Sequence, residues 1–403
     1  MLSAVKNQLL FLNKIVTPMK KTICFIVTSR AQYARNKLLL KQINGDQALN
    51  LQIIVGGSAL LKKYGEIISD LKMEGFKDVE EIYTSLEGGN NVAMAKTTGL
   101  AILEFTNILQ RLKPDMVVAI GDRFEVLAAA VAAAYLNIGI CHIEGGDVSG
   151  TIDESVRHAI TKLAHLHFVT NDASKKRVLK MGENPSHVHN VGSLDIEFLS
   201  QVENISNLEK ILNKSGVGAK INLNQPFIMV IQHPVTTGED NFKNINETLA
   251  AVHKLGLQAV WFWPNADAGE ADMSHAIRIY REKHSKSKIH FITNMGPKEF
   301  INLLKRAACL VGNSSSGVKE CSYLGIPVVN IGTRQRNRLA AKNLLNVGYN
   351  SAAIKEAVKK QIKHGQYPSS SIYFKAETSK QITNIIKKIK PSTQKVFFDF
   401  KYD

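Results

Sequence analysis

A chain of 403 residues with 44% hydrophobic content is too long for one ordinary hydrophobic core, which predicts two α/β domains. Much of its net charge of +16 sits on lysines of the last third, Lys355, Lys359, Lys360, Lys363, Lys387, Lys388 and Lys390, scattered over predicted helical surfaces without interleaved aromatics. That pattern excludes a nucleic-acid or membrane partner from the reading and favours approach of an anionic substrate, and no apolar run reaches the roughly 20 residues that span a bilayer.

Residues 1–20 carry a short apolar patch flanked by Lys6 and Lys14. The patch is broken too early for a signal peptide and has no small-residue cleavage site, so this stretch is expected to be a poorly ordered N-terminal extension. Apolar strands are predicted at 22–28, 51–55, 116–120, 138–143, 166–170 and 187–191, with helices between them, giving a Rossmann-like domain over 21–193. The pattern restarts after Gly192-Ser193. A polar stretch at 204–225 leads to strands at 227–231, 258–262, 289–293, 309–311 and 328–331, a second Rossmann-like domain over 194–371, and a tail over 372–403. The economical architecture is two such domains facing a central cleft. Cys24, Cys141, Cys309 and Cys321 lie in or beside apolar segments without metal-ligand spacing, and read as reduced thiols of a cytoplasmic protein.

The first strand runs through Thr28-Ser29-Arg30-Ala31-Gln32-Tyr33 into a helix at 34–43. It lacks G-x-G-x-x-G, and the chain holds no G-x-x-x-x-G-K loop, which disfavours cofactor-dependent redox and ATP-driven chemistry. Arg30 sits where a strand-to-helix loop aims a guanidinium at a phosphate, and Arg123 sits similarly.

Chemistry concentrates at the next two strand ends. The strand at 116–120 stops at Gly121-Asp122-Arg123-Phe124-Glu125, and that at 138–143 stops at Glu144-Gly145-Gly146-Asp147, followed by Asp153-Glu154-Ser155-Val156-Arg157-His158. Asp122 is placed to cap the helix at 124–136, and capping alone would account for it. It does not account for Glu144, which ends an apolar strand beside two glycines that admit close approach of backbone or ligand. In the second half, Gly312-Asn313-Ser314-Ser315-Ser316-Gly317 opens a helix at 318–324, where backbone amides and serine hydroxyls suit a phosphate, and Arg334 in Gly332-Thr333-Arg334-Gln335 supplies a bidentate partner. His233 and Asn265 stand at two further strand ends in this sheet.

These blocks, together with Gln232-His233-Pro234-Val235-Thr236-Thr237 and the whole run from His142 to His165, closely resemble the hydrolysing UDP-N-acetylglucosamine 2-epimerases of bacterial sialic-acid pathways and the epimerase half of the animal bifunctional enzyme. The resemblance covers roughly residues 21–389. It implies a GT-B fold whose closing helix at 379–389 packs back on the first domain, Asp122, Glu144 and Asp153 as acid/base carboxylates, and Arg30, Arg123, His233, Asn265, Met295, Ser314, Ser315 and Arg334 around the nucleotide, with Glu320 on the ribose. It also implies a dimer or tetramer and no cofactor or metal. The chain departs from the family pattern at Gln32, where many relatives carry an acidic residue, and after Tyr373, where Gly-Asp-Gly is missing.

The chemistry so implied is expulsion of UDP from UDP-N-acetylglucosamine to leave 2-acetamidoglucal, then hydration to N-acetylmannosamine. It demands donors for a departing diphosphate and crowded carboxylates in different protonation states. Three rival readings stand beside it: a hydrolysing 2-epimerase of a UDP- or GDP-linked 2,4-diacetamido-trideoxyhexose as in legionaminic-acid pathways, a GT-B glycosyltransferase, and a silent nucleotide-sugar binding protein.

Overall fold

The computed structural model describes residues 20–62, 66–86, 88–237, 240–265, 267–390 and 393–399. The expected N-terminal extension lies, apart from Lys20, outside the described residues.

Seven strands form the first sheet: β1 (Lys21–Val27), β2 (Leu49–Val55), β3 (Val79–Glu81), β4 (Met116–Ile120), β5 (Gly139–Ile143), β6 (Leu166–Val169) and β7 (Val188–Asn190). Their order is β3-β2-β1-β4-β5-β6-β7 and every pairing is parallel. A parallel sheet needs helices on both faces, which is why β4 is a continuous apolar run and β5 is interrupted only by His142, with all five residues of each buried. The order reverses between β1 and β4. There the loops after Val27 and Ile120 diverge to opposite faces and leave a crevice at the carboxyl ends. Gln32 braces that opening, since its Oε1 accepts from the Thr28 amide at 2.7 Å while its Nε2 donates to the Ile120 carbonyl at 3.2 Å. The residue at which the chain departs from the family pattern thus ties two strand ends together, and the amide that reaches Ile120 is a donor an ionised carboxylate lacks.

The second sheet comprises β8 (Val217–Gly218), β9 (Phe227–Ile231), β10 (Gln258–Phe262), β11 (Ile289–Ile292), β12 (Cys309–Gly312), β13 (Val328–Ile331) and β14 (Leu344–Val347), in the order β14-β13-β12-β9-β10-β11-β8. Its pairings are parallel except for the two-residue β8, which runs antiparallel on β11. Here the switch lies between β9 and β12, so the loops after Ile231 and Gly312 line the second wall of the cleft.

The predicted helix at 318–324 is instead two short helices, Ser315–Val318 and Glu320–Leu324, broken at Lys319. The one beginning near 34 starts earlier, at Arg30, because Ser29 caps it by accepting from the Gln32 amide. The closing helix, Thr378–Lys388, seats Ile382 and Ile386, both fully buried, in the core of the first sheet. It also packs against the Arg30–Asn44 helix. All four cysteines are buried and unpaired, and among the described residues no helix is long and apolar enough to cross a membrane.

Candidate active site

A cleft of about 570 Å³ opens between the carboxyl ends of the two sheets, a volume suited to a nucleotide-sized ligand. Asp122, Glu144, Asp153, Arg30, Arg123, His233, Asn265, Met295, Ser314, Ser315, Glu320 and Arg334 all line it. The sequence-derived set therefore converges on one space.

On the first wall, the Phe124–Tyr135 helix begins without a side-chain cap, so Asp122 is not spent on capping; it forms an ion pair with Arg157. Arg157 belongs to the Ile152–Leu163 helix and also donates to the Asp147 carbonyl at 2.9 Å. That helix starts with a Thr151 cap, and Glu154 reaches back to the Ser149 amide at 2.6 Å, which holds Asp153 in its first turn. Burial alone would raise the pKa of Asp122, but Arg157, Arg338 and Arg334 outweigh it and hold the group below the usual carboxylate range. Asp153 moves the other way, raised by burial and by the nearby Asp122 charge. Two carboxyl groups in one pocket are thus driven apart, one ionised and one inclined to keep its proton. Glu144 completes the wall from a left-handed backbone, φ 69°, unusual for a non-glycine residue and the kind of strain that functional sites retain. Gly146 supplies the close approach that the sequence required, since a Cβ there would lie 2.4 Å from the Ser174 carbonyl oxygen.

The second wall is organised by Asn313, fully buried after β12. Its side chain accepts from the His233 amide at 2.7 Å and donates to the His233 carbonyl at 2.8 Å, and its own carbonyl receives Arg334 at 3.3 Å and Gln335 at 2.9 Å. His233 Nδ1 in turn accepts from the Asn265 amide at 3.2 Å. Burial, reinforced by Arg334, lowers the His233 pKa to about 3, so the ring is neutral. With Nδ1 accepting, the proton lies on Nε2 and the ring is a donor. Ser314 caps the Ser315–Val318 helix. Glu320 takes the Ser316 hydroxyl on Oε1 at 3.1 Å while its buried Oε2 has no protein partner, an acceptor suited to a ligand hydroxyl.

Two predicted phosphate ligands are otherwise engaged. Arg30 pairs with Asp70 at 3.1 Å and donates to the Glu66 carbonyl at 3.3 Å. Arg123 grips Glu125 through Nε and Nη2 at 3.0 and 2.9 Å and reaches Asp267 on the opposite wall at 3.4 Å. Tyr373 is buried and donates to the Leu339 carbonyl at 2.6 Å, a packing role.

Sequence reasoning gave no role to Arg35, Arg157, Asp195, Lys319 and Arg338. Arg35 pairs with Asp195 at 3.5 Å, Lys319 meets Glu144 at 2.5 Å and Asp195 at 3.2 Å, and Arg338 crosses to Asp147 at 2.8 Å. A signal existed for two of them. Arg157 follows Asp153 by four residues, which places both on one helical face, and Lys319 stands next to Glu320 as a pair of charges between Val318 and Cys321 in an otherwise apolar or small-residue segment.

Residues 41–387 match the family model described as UDP-N-acetylglucosamine 2-epimerase. The chain is 32% identical over 373 residues to the UDP-N,N'-diacetylbacillosamine 2-epimerase (hydrolyzing) of Legionella pneumophila, covering 92% of this chain and 97% of that one. It is 33% identical to the GDP/UDP-N,N'-diacetylbacillosamine 2-epimerase (hydrolyzing) of Campylobacter jejuni, over 81% of this chain and 84% of the relative. The crystal structure of UDP-GlcNAc 2-epimerase from Neisseria meningitidis bound to UDP-GlcNAc superposes with a TM-score of 0.75 at 18% identity, over 91% of this chain and 100% of that one. The GT-B-like fold is therefore shared, and the chain belongs to the UDP-N-acetylglucosamine 2-epimerase family.

Proposed function

We propose that the protein is a hydrolysing 2-epimerase of a UDP-linked 2-acetamido sugar, and that the observation carrying this is the convergence of Asp122, Glu144 and Asp153 on one nucleotide-sized cleft. Loss of the C2 proton and of UDP from C1 leaves 2-acetamidoglucal. Water then adds its hydroxyl to C1 while a proton returns to C2 on the opposite face, so the balance is one sugar nucleotide plus water giving UDP and the free 2-epimer. Proton removal and return on opposite faces need two carriers in unlike states, which Asp122 and Asp153 supply. Arg334, the neutral donor His233 and the serines at 314 and 315 are suited to the departing diphosphate, and Glu320 Oε2 to the ribose. The first substrate reading is UDP-N-acetylglucosamine, giving N-acetylmannosamine for sialic-acid-type sugars. The second, UDP-N,N'-diacetylbacillosamine, is favoured by the names of the Legionella and Campylobacter relatives.

Proton NMR of the purified protein with UDP-N-acetylglucosamine, UDP-N,N'-diacetylbacillosamine and their GDP counterparts decides among them. A free 2-epimer with one deuterium at C2 in deuterium oxide is expected from one UDP sugar. With oxygen-18 water, label should enter sugar C1 and not UDP. A product still joined to UDP, or label in UDP, overturns the reading.

A further inference from the structure

Lys319 is one of several cations that the reaction outlined above leaves without a task. Its side chain is only 1% exposed, at the joint between the Ser315–Val318 and Glu320–Leu324 helices of the second wall. From there Nζ reaches across the cleft to Glu144 Oε1 at 2.5 Å and to Asp195 Oδ2 at 3.2 Å. The surrounding charges are shared unequally. Asp195 also has Arg35 at 3.5 Å, and Asp147 has Arg338 at 2.8 Å. Glu320 faces Arg35 at 3.9 Å, and Tyr373 stands beside Arg338. Among the described residues, Lys319 is the one cation in an ion pair with Glu144, and it belongs to the opposite wall.

We propose that Lys319 is a positioning residue for the reaction: it orients the Glu144 carboxylate from across the cleft, so that closure of the two lobes completes the acid/base set. The inference rests on Glu144 serving in the proposed 2-epimerisation. Burial would strip the Lys319 proton, but Glu144 and Asp195 outweigh it and the ammonium persists. Glu144 leaves β5 with a strained backbone, and its side chain, 19% exposed, meets Lys319 of the second wall. A flexible carboxylate loses rotamer freedom when bridged, and the entropy of ordering it is then spent before the substrate reacts. Opening the lobes withdraws the cation and leaves Glu144 mobile.

The experiment compares Lys319→Met and Lys319→Arg with the wild type. Loss of the ammonium should lower kcat about 10²-fold, the order set by misplacing an acid or base, with KM and the rise of melting temperature by UDP changed less than about threefold and a degree or two respectively. Lys319→Arg should restore part of kcat. A large rise in KM with loss of UDP stabilisation would make Lys319 a diphosphate ligand and overturn the proposal. So would equal loss in both variants, the mark of a merely structural lysine. Carbon-13 relaxation of the Glu144 side chain, assigned with Glu144→Gln, reads the same coupling without turnover: its order should fall in Lys319→Met, and unchanged order refutes the proposal even if no sugar nucleotide is processed. If Lys319→Met does not fold, Lys319→Gln takes its place with the same expected losses, and wild-type kcat and Glu144 order in it would sink the proposal. Absence of UDP release by the wild type, with the Glu144 order as expected, would instead count against the proposed reaction.

Discussion

Gly150→Ala tests whether the observed closeness of the lobes is needed for activity. Gly150 lies on the first wall, and its amide donates to the Arg334 carbonyl of the second at 3.0 Å. A Cβ at 150 would sit 1.8 Å from the Thr333 carbonyl oxygen, whereas real contacts of this kind essentially never fall below 3.0 Å, so the walls must separate by about 1.2 Å. The clashing atoms, Thr333 and Arg336, all belong to the second lobe, so the methyl is accommodated by each lobe alone and the cost falls on closure. A displacement near 1 Å is enough to lower a positioned reaction by roughly 10²-fold. The variant should therefore lose about 10²-fold in kcat/KM and most of its thermal stabilisation by UDP, while the urea unfolding midpoint without ligand stays close to wild type. Gly99→Ala provides the control, because that exposed helical position has nothing within 4 Å of a new Cβ and should gain up to about 1 kcal/mol in stability with activity intact. Turnover within twofold of wild type in Gly150→Ala, with an unchanged fold, would refute the requirement for closure.

Asp122→Asn and Asp153→Asn should each lower kcat by about 10²-fold to 10⁴-fold while leaving UDP binding intact, measured by UDP release and thermal shift. Their pH profiles should differ in sign: the depressed pKa of Asp122 belongs to the acid limb, lost as pH falls through it, and the raised pKa of Asp153 to the basic limb, lost as pH rises through it. Arg334→Ala should weaken UDP stabilisation strongly without altering the unliganded melting temperature, and equal stabilisation of both proteins would remove Arg334 from the nucleotide site. Ile386→Ala deletes a fully buried side chain of the closing helix and should cost about 2 to 5 kcal/mol by urea titration; a change below 1 kcal/mol would mean that this helix is not part of the first core.

Much of the architecture was legible because parallel strands buried on both faces write themselves as apolar runs. The strands at 116–120, 227–231, 258–262 and 328–331 fall where the periodicity puts them. The missed strands are edge elements. Val79–Glu81 is only partly buried, Val217–Gly218 is exposed, and Leu344–Val347 is mostly half-buried, so none carries the apolar density of the centre. At the site, Asp122, Glu144 and Asp153 could be read from strand ends and a helix start. Their partners could not, because Arg157–Asp122, Lys319–Glu144 and Arg338–Asp147 are pairings across 35, 175 and 191 residues. Sequence shows which charges stand at a crevice and not which of them meet. Arg30 and Arg123 illustrate the limit, since each stands at the predicted loop yet has local carboxylates within reach.

The seating of Ile382 and Ile386 in the first core has a consequence for how the chain is made. Translation releases the first lobe's strands and helices early, but the side chains that close its apolar face emerge only after the entire second lobe. A ribosome-bound nascent chain therefore carries an unfinished N-terminal lobe with exposed hydrophobic surface for most of its synthesis, a period in which intermolecular aggregation competes with folding. The last turn of the Thr378–Lys388 helix is then the step that seals it, and a stop codon in place of Thr378 would leave a protein whose second lobe is complete and whose first lobe is not.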